Sequence, residues 1–167
     1  MHSKNFHLKK WKLLKWLMAK ILYIDPASIS TGWALFENGK LKKSGTVAVD
    51  KKLPVFLRLY QIAKAYKKLR LYPDEIHIEQ LVRNTHIYTH WSVSVIALSM
   101  FRRNVQVDAD IPISSWQKFT EWKENQTPLQ SYKRRVSSED ELAAIGMGLW
   151  HTARFSGGGV SKKARKR

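Results

Sequence analysis

The sequence predicts an α/β fold built on a mixed five-stranded sheet, three antiparallel strands followed by parallel ones, flanked by helices. Three observations predict it. Residues 20–48 hold three strand-like runs, and Asn38-Gly39, the strongest two-residue hairpin signal, joins the second to the third. Residues 54–72 then switch to a helical period. Beyond them, short apolar runs alternate with helical patterns, the order that returns each new strand parallel to an earlier one.

Each element follows from its residues. KILYID is a short apolar strand, GWALFE a second and KLKKSGTVAV a third, together an antiparallel meander. In PVFLRLYQIAKAYKKLRLY, Pro54 opens a helix whose Phe56, Leu59, Ile62, Ala63 and Tyr66 share one face, and Pro73 ends it. In EIHIEQ, alternation sets Ile76 and Ile78 on one face and Glu75, His77 and Glu79 on the other. A second helix over 88–103, a fifth strand in VQVDADIPI, a short helix in SSWQKFTEW and a last helix over 138–153 complete the order. The last helix opens SSEDEL, where Ser137 or Ser138 can cap free backbone amides and acids suit the positive end of the macrodipole. Trp33, Trp116 and Trp150 read as core residues, and no internal repeat is present.

Composition narrows the function. The chain has 167 residues, enough for one domain, and 44% of them are apolar. No segment reaches the roughly 18 apolar residues of a membrane span, and Lys12 and Lys15 interrupt the best candidate, Trp11 to Ala19. Without cysteine, disulfides, iron–sulfur clusters and thiolate zinc sites are excluded. The net charge of +17 points to a polyanionic partner, most simply nucleic acid. That charge is concentrated at the ends: residues 1–20 and 154–167 carry twelve cations and no acid, leaving +5 for 21–153. Residues 1–19 read as a basic extension, 20–154 as the folded domain and 155–167, Gly-rich then basic, as a flexible arm.

Three acids sit where chemistry is possible. Asp25 closes the first strand, Glu79 the fourth, and Asp140 begins the last helix. Carboxylates gathered closely repel one another unless a divalent cation lies between them, and all-oxygen ligands select Mg²⁺ or Mn²⁺. A solvated loop position is the ordinary reading of each acid alone.

The motifs LYIDPASISTGWALFENGKLKKSGTV, IHIEQ and SSEDELAAIGMGLWH resemble those of the RuvC-type Holliday junction resolvases, of the ribonuclease H-like superfamily and here closest to a phage type. In that family the first strand ends in I-D-P-G/A-S-x-x-T-G, the fourth in I-E-Q, and the last helix carries D-x-x-D before a small and apolar run. The resemblance spans about 20–153. It implies a ribonuclease H-like fold and a homodimer, with residues 86–103 at its interface or in the core, in a bacterial or phage-infected host cytoplasm, an organelle being the alternative. It also implies a catalytic set of Asp25, Glu79 and Asp140 holding two Mg²⁺ (or Mn²⁺) ions. The family's fourth carboxylate falls at Ala143, so one ligand is missing; a second register would leave Ser137 in its place.

The implied activity is metal-dependent endonucleolytic cleavage of four-way or otherwise branched DNA, impaired at Ala143. The alternatives are a non-catalytic branched-DNA-binding protein and a ribonuclease H-like nuclease acting on other branched or hybrid substrates. Lys118, Lys133, Arg134, Arg135 and Arg83 are the expected DNA contacts. His77 reads as an ordinary hydrogen-bonded or exposed histidine, and His151, on the helix face of Asp140, as an outer neighbour of the metals.

Overall fold

The computed structural model describes residues 18–81, 86–100, 106–121, 129–133 and 135–155. Strand β1 (Lys20–Asp25) lies at the centre of a five-stranded sheet. On one side β2 (Ser30–Glu37) and β3 (Lys40–Ala48) pair antiparallel; on the other β4 (Glu75–Glu79) and β5 (Gln106–Ile111) pair parallel, giving the order β3-β2-β1-β4-β5. Asn38 and Gly39 take φ of 55° and 70°, the doubly left-handed geometry a two-residue hairpin requires. Helix α1 (Val55–Leu69) returns the chain to β4. Helix α2 (Ile87–Met100) leads to β5, and α3 (Ile113–Glu121), α4 (Gln130–Lys133) and α5 (Glu139–Phe155) follow.

Strand alternation divides the core between the two sheet faces. Leu22, Ile24, Ile76 and Ile78 pack with Ile62 and Tyr66 of α1 and Ile96 of α2. Ile21, Tyr23 and Phe36 pack with Trp116 of α3 and Ala144, Ile145 and Met147 of α5. Trp33 and Trp116 are buried, and Trp150 packs against the second cluster, as expected of core residues. No helix among the described residues is long and apolar enough to cross a membrane.

Some local expectations change. Of the five residues assigned to one face of α1, Leu59, Ile62 and Tyr66 are buried, whereas Phe56 is 71% exposed. Its ring lies flat on Trp91 of α2, 5.5 Å between centroids and 17° between planes, instead of entering the core. The helix also stops before Pro73 acts, because Arg70 turns left-handed at φ 50°. Helix α4 was not anticipated; the i, i+3 pair Leu129 and Tyr132 docks it on the core. The segments 1–17 and 156–167, read as an extension and an arm, lie outside the described residues.

Candidate active site

The topology brings the three strand-end and helix-start acids together. β1 and β4 run parallel with Ile24 opposite Ile78, so Asp25 and Glu79 leave the sheet side by side at its carboxyl end. Both point to the α5 face, two residues beyond Tyr23 and His77. Asp25 is also paired with Gly32 of β2, and the first turn of α5 rests directly on that glycine. A Cβ at position 32 would run into the Asp140 carbonyl and the Glu141 amide. Glycine here is what lets the helix bring Asp140 down to Asp25.

The gathering has electrostatic consequences. Burial, followed by the charges of Glu79 and Asp140 and a hydrogen bond with Glu79, pushes the Asp25 carboxyl from 3.8 up to about 8. Burial also raises Glu79, with bonds from Trp116 and Asp25 working against it. Both carboxyls are thus raised, and the two share a hydrogen bond that only a protonated pair can make. The Trp116 indole N–H donates to Glu79 Oε1 at 2.8 Å, giving a residue expected only in the core a place at the site. Tyr66, on the opposite sheet face, is held well above its ordinary pKa by burial and by the charges of Asp25 and Asp140.

The neighbouring acids have another role. Glu141 is 5% exposed and accepts hydrogen bonds from Ser44 Oγ (2.6 Å), Ser137 N (2.8 Å) and Ser137 Oγ (2.6 Å). Burial opposes its ionisation, yet these bonds outweigh burial and hold its pKa below the ordinary carboxylate value. Ser138 Oγ accepts from the Glu141 amide at 3.1 Å and so caps the helix, and Thr46 bonds both serines. The hydroxyls of β3 therefore clamp the start of α5, while Glu139 stays exposed. Ser137 is committed to Glu141.

Ala143 is half-buried and lines a cleft of about 570 Å³ with Trp116, Lys133, Glu139 and Leu142. Trp116, which lines this cleft, also bonds Glu79. Lys118, Lys133 and Arg135 are exposed; Arg83 and Arg134 lie outside the described residues. His77 and His151 are buried, with ring centroids 4.7 Å apart. The Tyr23 hydroxyl and His151 Nδ1 hydrogen-bond at 2.6 Å, and His77 Nε2 lies 3.5 Å from Glu75 Oε2. The two histidines form a polar layer within the core beside the acids.

The donor set suits a hard divalent cation: oxygen ligands only, one of them keeping a proton that a cation would displace. Among the described residues, no three His, Asp or Glu side chains stand as a ready ligand cage. Mg²⁺ does not require one, since it retains several waters and commonly takes one or two carboxylates. Asp25 and Glu79, already in contact, match that habit, with Asp140 beside them.

The architecture is a ribonuclease H-like fold, with Asp25 and Glu79 side by side at the carboxyl end of its central strands and Asp140 beside them. Solved structures share this fold. Thermus thermophilus RuvC in complex with Holliday junction substrate matches with a TM-score of 0.67 at 17% identity, over 84% of this chain and 96% of that one. A further Thermus thermophilus RuvC structure matches with 0.62 at 14% identity, over 83% and 96%. Fowlpox virus resolvase with substrate Holliday junction DNA matches with 0.51 at 14% identity, over 81% and 97%. No protein-family model and no curated protein matches the sequence.

Proposed function

We propose that the protein is a metal-dependent, structure-selective DNA endonuclease acting on four-way or related branched junctions, as a homodimer. The observation that carries this reading is the convergence of Asp25, Glu79 and Asp140, with the Asp25 carboxyl raised to about 8. Buried acids are held so close at the cost of repulsion, and strongly perturbed groups of this kind cluster at functional sites. The junction-bound structures of RuvC and fowlpox resolvase support branched DNA as the substrate class.

Asp25 and Glu79 would hold Mg²⁺ or Mn²⁺, with Asp140 as the third ligand and a second ion at the same acids in the two-ion arrangement. The bound metal would supply an activated water and charge neutralisation at the scissile phosphate. The protein's share is positioning. Trp116 orients Glu79, Gly32 seats Asp140, and exposed Lys118, Lys133 and Arg135 are available to hold phosphates. Exposed Ile87 (55%) and Leu98 (74%) on α2 offer an apolar face for the second subunit.

One observation favours a second reading, a branched-DNA-binding protein without catalysis: Ala143 supplies no oxygen one turn beyond Asp140. Cleavage and gel-shift assays on four-way junction, linear duplex and RNA–DNA hybrid of equal length decide between them. Tighter binding to the junction, with Mg²⁺-dependent cutting and a steep loss of affinity as salt rises, is expected. Equal affinity for junction and duplex at about 0.15 M salt would reduce the protein to a general basic binder, and preferred cutting of the hybrid would replace junctions as the substrate.

A further inference from the structure

We propose that Arg58, in the first turn of α1, binds a backbone phosphate of a DNA arm, away from the phosphate that is cut. This rests on the reading of DNA as the substrate and adds a contact to it. The observation that carries it is an unmet donor: the Arg58 Nε–H is buried and has no hydrogen-bond partner. Buried polar groups of a folded protein are as a rule paired, and a guanidinium is a permanent cation with five donors in a fixed fork. A donor that no acceptor of the chain meets is suited to one from outside, and the planar fork matches the oxygens of a phosphate.

The local sequence explains why the chain leaves this cation unmet. Arg58 stands beside Leu59 and one turn before Ile62, both buried, and is itself half-buried. The first turn of α1 holds no acid, and its cap residue, Pro54, makes no side-chain hydrogen bond. Asp50, the acid of the preceding turn, accepts from the Lys52 amide at 2.9 Å through Oδ1 and forms no ion pair with Arg58. Lys51 and Lys52 are exposed on that turn and likewise form no ion pair among the described residues. Residues 51–58 therefore carry three cations that no carboxylate neutralises, a local excess that an anion lowers.

Topology sets this cation at the carboxylate end of the molecule. β1 and β3 both pair antiparallel with β2, so β3 runs parallel to β1 and the turn into α1 stands at the same end of the sheet as Asp25. β3 is two strands from β1, about 10 Å, and α1 packs on the sheet face opposite α5. Arg58 is thus removed from the reacting phosphate. A duplex arm that leaves the carboxylates across β2 and β3 passes it, and the closely spaced phosphates of that arm offer the missing acceptor.

The test measures binding of the full chain, without divalent metal, to a four-way junction and to linear duplex. Arg58→Met keeps an unbranched stem and removes the charge and the unmet donor. Junction affinity should fall about tenfold, the range of one hydrogen bond to a charged group, and the slope of log affinity against log salt should lose about one phosphate contact. Tm should hold or rise, because a buried unpaired donor is gone. Arg58→Lys should keep the slope and recover part of the affinity. Junctions in which a neutral methylphosphonate replaces one backbone phosphate at a time should reveal a non-scissile position that weakens the natural protein and leaves Arg58→Met unaffected. A lower Tm with unchanged affinity and slope makes Arg58 a packing residue whose Nε meets only water, and overturns the proposal; so does coupling to the scissile phosphate. If junction and duplex bind alike and the coupling persists, the branched-DNA reading falls and the phosphate contact stands. Preference for the junction without any coupling overturns the contact alone.

Discussion

Asp25 and Glu141 lie on either side of Asp140, yet their surroundings are opposites. Asp25, at a strand end, receives burial, two acidic neighbours and a proton it cannot easily release. Glu141, at a helix start, receives two serine hydroxyls and a backbone amide and is held ionised. A carboxylate whose hydrogen-bonding capacity is filled belongs to the architecture. One left crowded and short of donors is available for chemistry, and the difference comes from donors, not from the residue type.

The largest effect expected from breaking that contrast is at Asp25. Asp25→Asn keeps the size and a hydrogen bond to Glu79 but removes a metal-ligand charge, so Mg²⁺-dependent junction cleavage should fall at least about 10²-fold. The same change should stabilise the metal-free fold. An acid raised in the folded state contributes stability that is fully present below its unfolded value of 3.8 and lost as pH rises through about 8. Denaturant midpoints of the metal-free protein should therefore decline across that window, and those of Asp25→Asn should decline less. Parallel curves for the two would show that Asp25 is not crowded.

Glu141 should behave in the reverse sense. Its lowered pKa gives stability that is present above the unfolded value and lost as pH falls through the folded one. Glu141→Gln leaves the serine donors facing a weaker acceptor and should cost about 1–3 kcal/mol, read as a fall of a few degrees in Tm. Its stability should then vary less on the acid side, while cleavage changes only as far as the α5 turn shifts. A loss of cleavage as large as that of Asp25→Asn, with an unchanged Tm, would move Glu141 into the metal site.

How much of this could be read from residues alone follows from the range of each interaction. The antiparallel meander and the two faces of EIHIEQ are readable because alternation and the Asn38-Gly39 turn are local. Asp25, Glu79 and Asp140 were readable as candidates because each ends or opens an element whose neighbours are set by topology. The bond from Trp116 to Glu79 spans 37 residues and that from Ser44 to Glu141 spans 97, and no periodicity signals either. Phe56 was misassigned because helical spacing says which side a residue faces, not whether the neighbouring helix will cover it. The cleft beside Ala143 depends on α4, a single turn too short for any pattern to show.

The smallest effect, and the finest test of the contrast, is at Trp116. Glu79 stands between the two extremes: burial raises it, and one donor, the indole N–H at 2.8 Å, partly satisfies it. Trp116→Phe keeps a ring against Leu129 and Gly146 but removes that donor. Glu79 should then be raised further, so the acid limb of the pH–rate profile should move to higher pH. Cleavage near neutral pH should fall by about tenfold, the range of one hydrogen bond to a charged group, with the junction affinity unchanged. Moving Glu79 toward the condition of Asp25 in this way would show that a single donor decides how ready the carboxylate is to ionise. If the profile keeps its shape and only Tm drops, Trp116 is a packing residue and Glu79 is oriented by the sheet alone.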